Sequence, residues 1–505
     1  MRAFLMYPDR DFDPEADLPD GAQALTEDLG LRTLFGAMSG GDDFLYTVAE
    51  RAVLTSLGDP KAIAYRQHAL RDCLDRPDVV RQMYDVAVDA VLGSKKIYRG
   101  IFSQSPDAVL RWSMEALQLF AGLLRRLRQI ADDHAPGFRS EAFTTMFQTL
   151  AAELGDDYFA AVDDHLSQLR FRNGVLLSAG LGMGNKGTGY RIRRPGQRRQ
   201  GWLSRISGGD RSGFTMRIAD RDESGHRSLA DLRGRGINQA ANALAQSTDH
   251  ILSFLEMLRC ELGFYVGCLN ARDSLAGKGE PACFPDPAAA GGPVKLSFRG
   301  LYDVCLSLRL ADGRAVGNDA SVDGKTLVVI TGANQGGKST FLRSVGLACL
   351  MMQCGMFVAA ESFAGTVCTG LFTHYRREED EQMESGKLDE ELSRMSEIAD
   401  RVTPGAVVLF NESFAATNER EGSQIARQIV AALAESGVRV FLVTHFYDLA
   451  HGLHAQGSDT MAFLRAQRRD DGQRTFRLVE GEPEPTSYGQ DLYERIFGGQ
   501  SAAIR

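Results

Sequence analysis

The strongest chemical signal in the chain is the apolar run 326–330 followed by Thr331-Gly332-Ala333-Asn334-Gln335-Gly336-Gly337-Lys338-Ser339-Thr340. Gly332, Gly337, Lys338 and Ser339 satisfy the spacing G-x-x-x-x-G-K-[ST], with a strand-like run before them and a helical pattern over 341–356 after them. Glycines let backbone N–H groups wrap phosphate oxygens, and a helix N-terminus brings the positive end of its dipole to the same place. In such an arrangement Lys338 reaches the outer phosphates and the Ser339 hydroxyl ligates Mg²⁺. The pattern predicts a site for a nucleoside triphosphate.

Two further stretches supply groups for that site. The apolar run 406–410 ends in Asn411-Glu412, some 70 residues after the loop. A strand-end carboxylate there suits the metal and water side of the reaction, with Glu412 orienting or deprotonating the attacking water. A second buried-type strand, 439–444, is followed directly by His445, which is placed to reach a terminal phosphate. Without the loop, each of these strand ends reads as structure alone.

The elements that hold these residues follow from periodicity. From 43 to about 169 the spacing is helical, as in Val109, Leu117, Phe120, Leu124 and Leu127, and Pro60, Pro77, Pro106 and Pro136 divide it into several helices. Between 171 and 236 glycine becomes frequent, and short runs at 175–177, 202–206 and 214–218 predict strands and turns. This segment is basic: from Met183 to Gly236 there are 13 Lys and Arg against 5 Asp and Glu. Gly182-Met183-Gly184-Asn185-Lys186-Gly187 matches G-x-G-x-x-G, but no helical pattern follows, so it reads as a flexible turn. A helix returns over 237–268, a Pro/Ala/Gly-rich linker covers 281–293, and strands and helices then alternate as in an α/β domain.

Composition narrows the classes. The 505 residues are 44% hydrophobic and 24% charged, which excludes a disordered or fibrous chain. The net charge of −9 argues against a uniformly basic nucleic-acid coat while leaving room for a local patch. No apolar run approaches the 18 or more residues of a membrane helix, and the N-terminus turns acidic without an apolar signal core. The 8 cysteines are scattered with no CxxC pair, which points to a reduced cytoplasmic protein and away from zinc.

The loop, the strand ending at Glu412, the Thr444-His445 pair and their order resemble the ATPase domain of the MutS family of DNA mismatch-repair proteins, a domain of the ATP-binding-cassette class. Val316-Gly317-Asn318-Asp319, Phe372-Thr373, Ser385-Gly386 and Ser487-Tyr488-Gly489 match the same family, so the resemblance is specific over 304–489. Asp59-Pro60-Lys61-Ala62-Ile63-Ala64-Tyr65-Arg66-Gln67 is similar, less specifically, to the family's lever core.

The resemblance implies an α/β multidomain fold. It comprises a mainly helical lever/core domain over 1–170 and a basic insert over 171–236, at the position of the family's DNA clamp. Returning core helices and a linker occupy 237–285, and a P-loop ATPase domain with a central, largely parallel sheet occupies 286–505. It implies ATP and Mg²⁺ as cofactors, with Gly332, Asn334, Gly336, Gly337, Lys338, Ser339 and Thr340 on the nucleotide. Glu412 and His445 would serve catalysis, and Ser339 and, indirectly, Asn411 would serve the metal. The family's site is composite, closed over each nucleotide by the partner subunit's Ser385, so a homodimer that hydrolyses on closure is expected.

Two departures qualify this. The family's strand ends in Asp-Glu, whereas this chain has Asn411-Glu412. The missing carboxylate predicts weaker metal binding, and the family's Gly/Thr-rich loop is replaced by Ser413-Phe414-Ala415-Ala416-Thr417, although Thr417 and Gly422 still fit. Lever-like sequence within about 60 residues of the start leaves no room for the family's mismatch-wedging module, so DNA association without mismatch reading is expected. Arg191, Arg193, Arg194, Arg198 and Arg199, with Tyr190 and Trp202, form a candidate surface that grips DNA backbone without reading sequence; a solvated loop balancing an acidic chain is the alternative. Two other functions fit the same residues. One is a nucleotide-gated scaffold with little hydrolysis that recruits a protein partner, and the other is an ATPase acting on RNA or branched DNA. A cytoplasmic location with no membrane partner is expected.

Overall fold

The computed structural model describes residues 1–98, 105–171, 174–193, 217–377, 386–469 and 473–484. In chain order they form the helices α1 (Ala22–Asp28), α2 (Leu31–Ser39), α3 (Asp43–Leu54), α4 (Pro60–Asp75), α5 (Pro77–Tyr98), α6 (Pro106–His134), α7 (Glu141–Glu153) and α8 (Asp156–Leu169). The hairpin β1 (Leu177–Leu181) and β2 (Gly187–Ile192) follows, then the long helix α9 (Glu223–Gly277). After them come β3 (Asp286–Ala288), β4 (Leu296–Leu301), α10 (Val304–Arg309), β5 (Asn318–Ser321), β6 (Leu327–Gly332), α11 (Lys338–Gln353), β7 (Ser362–Thr366) and β8 (Leu371–Tyr375). The chain continues through α12 (Lys387–Ala399), β9 (Val407–Asn411), α13 (Glu419–Glu435), β10 (Arg439–Val443), α14 (Tyr447–His454), β11 (Met461–Arg468) and β12 (Arg474–Glu480).

The helix starts are local chemistry. Pro60, Pro77 and Pro106 take the first positions of α4, α5 and α6, where the missing N–H costs nothing. Asp59 and Ser105 cap α4 and α6 by accepting from the Lys61 N–H (3.0 Å) and the Ala108 N–H (3.3 Å). The helix expected from 237 begins earlier, at Glu223, within the stretch read as strands and turns. Asp222 starts it by accepting from the Gly225 N–H at 2.9 Å, and its first turns are polar and exposed, so no apolar period announces them. The 281–293 linker also contains structure: β3 pairs with β7 in parallel, with Pro287 on an edge strand that tolerates its missing donor. The expected strand at 202–206 lies outside the described residues, as does 214–216.

Contacts divide the chain into two compact units. The first comprises Met1–Ala3, Arg81–Pro136 and Thr145–Arg259; the second comprises Phe4–Val80, Gly137–Thr144 and Cys260–Arg505.

In the first unit the hairpin β1–β2 is antiparallel, with Leu177 opposite Ile192 and Leu181 opposite Gly187. Its base is held by an apolar cluster in which Leu110 of α6 and Ile237 and Ala241 of α9 are buried, with Val175 and Ile192 packed against them.

The second unit is a mixed α/β body. Its larger sheet has the order β12-β11-β6-β10-β9-β8, in which β11, β6, β10, β9 and β8 are parallel and only the edge strand β12 is antiparallel. Strands β6, β9 and β10 read as near-continuous Val/Leu/Ile/Phe runs because both faces are covered. One face packs on α12, α13 and α14 through Met395, Ala426, Val430, Leu433, Leu449 and Leu453. Helix α11 contacts β6, β9 and β10 and is buried around almost its whole circumference. A smaller sheet, β3-β7-β4-β5, completes the unit.

The segment from Phe4 to Phe12 is strapped onto this unit by buried ionisable side chains. Glu261 on α9 accepts the N–H groups of Leu5 (2.6 Å) and Phe12 (2.9 Å). Arg66 on α4, fully buried, donates to the Met6 carbonyl (2.9 Å) and to the Cys354 carbonyl at the end of α11 (3.2 Å). Seven of the eight cysteines are buried, and burial pushes the Cys354 and Cys368 thiols up to about 12. Among the described residues no helix is long and apolar enough to cross a membrane.

Candidate functional site

Strand β6 delivers the chain to the glycine-rich loop, and α11 carries it away from Lys338. Gly332 closes the strand at φ 106°, and a Cβ there would stand 2.8 Å from the Ala466 backbone nitrogen on the neighbouring strand β11. Only glycine fits that conformation and that gap. Gln335 takes φ 58° at the loop's crest, and Gly337 caps α11 at φ 91°. The N–H groups of the first turn of α11 have no carbonyl of their own helix to bond, so they face the loop as donors.

Lys338 is buried, and its ammonium donates to the Gly332 and Ala333 carbonyls, each at 3.0 Å. Burial pulls it below the ordinary lysine range; Glu412 opposes that shift and Arg474 adds to it. The Ser339 hydroxyl donates to Asn411 Oδ1 at 2.8 Å, which joins the head of α11 to the end of β9. The two residues expected at the metal are thus in contact.

Glu412 and Phe414, on either side of Ser413, both adopt left-handed backbone (φ 54° and 62°), a conformation side-chain-bearing residues rarely take. Such positions cost roughly 1–3 kcal/mol each. Burial of Leu327, Val328, Val329 and Ile330 on β6 alone is worth, in gross terms, about 6–12 kcal/mol, so the packed sheet holds the strained loop. Glu412 is further fixed by its N–H donating to the Val443 carbonyl at 3.0 Å.

Behind it lies a buried polar bridge that the spacing of the sequence does not announce. His374 on β8 contacts the Ser413 hydroxyl through Nδ1 (2.7 Å) and the Glu391 carbonyl through Nε2 (2.9 Å), and its ring stacks on Phe414 with centroids 5.2 Å apart. Burial holds its imidazole down at about 4, so it is neutral at ordinary pH. His445 follows β10 and is exposed, with its ring against Phe446; it does not line the cavity described next.

The loop and Glu412 open on a cavity of about 600 Å³. One part is polar, made by Asn334 to Thr340 and Glu412; another is apolar, walled by Leu301, Leu306, Leu310, Val316, Phe341 and Phe476. Of the expected residues, Asn334, Gly336, Gly337, Lys338, Ser339, Thr340 and Glu412 line it together. Asn318, quoted above as part of a matching segment, lines it too and accepts the Leu478 N–H at 2.7 Å. Phe476 and Arg474 arrive from the antiparallel edge strand β12, the latter donating to the Asn334 carbonyl at 3.3 Å. Nothing in the sequence marks these two, because their place depends on pairing that spans the whole domain.

These side chains fit a nucleoside triphosphate with a divalent cation. The loop donors and Lys338 suit phosphate oxygens, the apolar walls suit a base, and Ser339 and Asn411 offer neutral oxygens at the loop's edge. No group of three or more His, Cys, Asp or Glu is assembled for a metal among the described residues.

Of the candidate nucleic-acid residues, Arg191 and Arg193 lie exposed at the β2 end of the hairpin, with Arg193 Nε donating to the Ser178 hydroxyl at 2.9 Å. Arg194, Arg198, Arg199 and Trp202 lie outside the described residues, as do Ser385 and Ser487-Tyr488-Gly489.

A family model for the MutS2 N-terminal domain matches residues 58–278, and one for MutS domain V matches residues 328–497. The chain is 33% identical over 187 residues to an endonuclease MutS2 of Thermus thermophilus, covering 36% of this chain and 24% of that protein. It is 30% identical over 182 residues to a DNA mismatch repair protein MutS 2 of Haloarcula marismortui, covering 34% and 19%. Over 191 residues it is 32% identical to a DNA mismatch repair protein MutS of Thermotoga neapolitana, covering 37% and 23%. The matched segments thus span less than a quarter of each relative's length.

Proposed function

Because the chain belongs to the MutS family, we propose that residues 286–505 are a P-loop ATPase domain of the ATP-binding-cassette class that binds ATP with Mg²⁺. In this reading ATP-driven closure of a homodimer is coupled to DNA binding without mismatch reading. The observation that carries it is the contact of Ser339 with Asn411 at a cavity also lined by Lys338 and Glu412.

Lys338 exchanges its two loop carbonyls for phosphate oxygens, and its partly desolvated ammonium strengthens that pairing. The Ser339 hydroxyl spends its proton on Asn411, which turns its lone pairs toward the cavity as a cation ligand. When bound, Mg²⁺ neutralises charge on the phosphates. Glu412, pinned by its backbone, holds a carboxylate over the cavity to align a water and take its proton. His445 stands outside this group, where it would sense a terminal phosphate once the site closes. Closure brings in the partner subunit's Ser385, and the helices of 1–170 and 237–285 carry the movement to the basic segment 171–236.

Mg²⁺-dependent ATP turnover with and without DNA, against Lys338→Ala, tests this. Turnover that responds to DNA and vanishes in the variant supports it; nucleotide binding unaffected by Lys338→Ala sinks it. A second reading is favoured by Asn411, whose neutral amide stands where a carboxylate would hold the metal. In that reading ATP gates a scaffold that hydrolyses little and recruits a protein partner. Slow single-turnover hydrolysis with tight ATP binding selects it. RNA or branched DNA as the target is separated from duplex DNA by the same assay run with each nucleic acid.

A further inference from the structure

The glycine-rich turn 182–187 joins the two strands of the hairpin β1–β2 and forms its tip. At its tip Leu181 and Met183 are 81% and 95% exposed, the two most exposed large apolar side chains among the described residues. Single exposed apolar residues are ordinary on a surface, but two at the end of one projection are not. The tip is ordered by the Gly182 N–H donating to the Lys186 carbonyl at 2.8 Å. The base is fixed by Val175 and Ile192 on the buried cluster of α6 and α9, and by the Arg193 N–H donating to the Leu176 carbonyl at 2.8 Å. From Leu176 to Leu181 the ribbon reaches about 16 Å at strand rise, more than the depth of either DNA groove.

Its charge is one-sided. Residues 174–193 contain Lys186, Arg191 and Arg193 and no Asp or Glu, in a chain whose net charge is −9. All three basic side chains are exposed. A protein partner is a poor fit, because a stable protein interface buries about 800 Å² on each side and two side chains supply a small part of that. A base step is the right size.

We propose that the β1–β2 hairpin is a nucleic-acid wedge: Lys186, Arg191 and Arg193 straddle the phosphates of bent or branched DNA while Leu181 and Met183 enter the base stack. Apolar side chains inserted between base steps unstack and kink duplexes in this manner. The inference rests on the DNA association proposed above and adds to it a residue-level contact, read from the exposure and charge of the hairpin.

The test uses the full chain and DNA carrying 2-aminopurine, whose fluorescence rises when its neighbours unstack. A short duplex and a four-way junction are compared at stated salt. The parent protein is expected to raise the fluorescence several-fold, more on the junction. Leu181→Ser/Met183→Ser, two changes at exposed positions, is expected to lose that rise while binding within about threefold of the parent. Lys186→Gln/Arg191→Gln/Arg193→Gln is expected to weaken binding and to reduce the slope of log affinity against log salt by roughly 2.7. Parent binding without a fluorescence rise, or a rise that survives Leu181→Ser/Met183→Ser, overturns the wedge and leaves DNA association standing. No DNA binding by the parent at low salt overturns both. A loss of self-association in the Ser variant, with the DNA response intact, makes the tip a contact between copies and also overturns the wedge.

Discussion

The loop between β6 and α11 and the tip between β1 and β2 are both glycine-rich turns leaving a strand, and the chain uses glycine in opposite ways in them. At Gly332 the neighbouring strand leaves no room for a Cβ, and the backbone sits at φ 106°. At Gly184 the backbone is also left-handed, at φ 68°, yet nothing lies within 4 Å. The first turn buries its lysine, Lys338, against its own carbonyls; the second displays Lys186 to solvent. A glycine pattern therefore reports backbone freedom only. Whether the freedom serves a close-packed phosphate cradle or an open projection is decided by the next element, a buried helix in one case and a returning strand in the other.

That contrast makes graded expectations. Lys338→Ala should lower ATP turnover by about 10³-fold, roughly 4 kcal/mol of barrier, with little change in the urea midpoint. An unchanged rate would remove the cradle from the contrast altogether. Gly332→Ala should destabilise the fold by about 3 kcal/mol, because strained backbone and a clash with the backbone of Ala466 act together.

The buried His374 adds a pH signature to the cradle side. The unfolded chain protonates this histidine near its ordinary value of 6.5, the folded one only at about 4. Acidification from 6.5 toward 4 therefore removes up to about 3 kcal/mol of stability through this group. Glu261, pushed by burial up to about 7 against the opposing N–H groups of Leu5 and Phe12, acts with the reverse sign, gaining stability as pH falls toward 4.5. The readout is therefore the difference between His374→Gln and the parent in chemical denaturation across pH, where the parent should lose more on acidification. A parallel pair of curves would refute the assignment.

Asn411→Asp should tighten Mg²⁺ dependence of nucleotide binding by about tenfold, about 1.4 kcal/mol, through the charge it restores beside Ser339. Smallest of all, Gly184→Ala should cost about 1 kcal/mol, the low end of the range for such positions, since only the left-handed backbone opposes it. A cost equal to that of Gly332→Ala would erase the distinction between the two turns.

That Asn334 to Thr340 would line one cavity was legible because they lie within one strand–loop–helix unit, where spacing is geometry. Lys338 and Ser339 fall on one helical turn, and Asn411-Glu412 and His445 each follow an apolar run that reads as a strand and forms one, β9 and β10. Phe476 and Asn318 were not legible as cavity residues, nor Arg474 as a partner of the loop, since β12 and β5 reach the loop through pairing across distant sequence. The start of α9 was missed for a different reason: a helix exposed all round shows no apolar period, and only Asp222 marks its beginning. β3 hid in a Pro/Ala/Gly-rich stretch because an edge strand of three residues needs no hydrophobic pattern.

The strap that Glu261 and Arg66 hold has a consequence for synthesis. Its partners lie 256 residues away for Leu5 with Glu261 and 288 for Arg66 with Cys354. At roughly 5–20 residues per second, a ribosome that has finished α4 needs somewhere around a quarter of a minute to a minute to supply the end of α11. Through that interval Leu5, Met6 and the apolar faces of α1 to α4 have no completed surface to close against. The second unit can therefore finish folding only after the helix that begins at Lys338 has emerged in full.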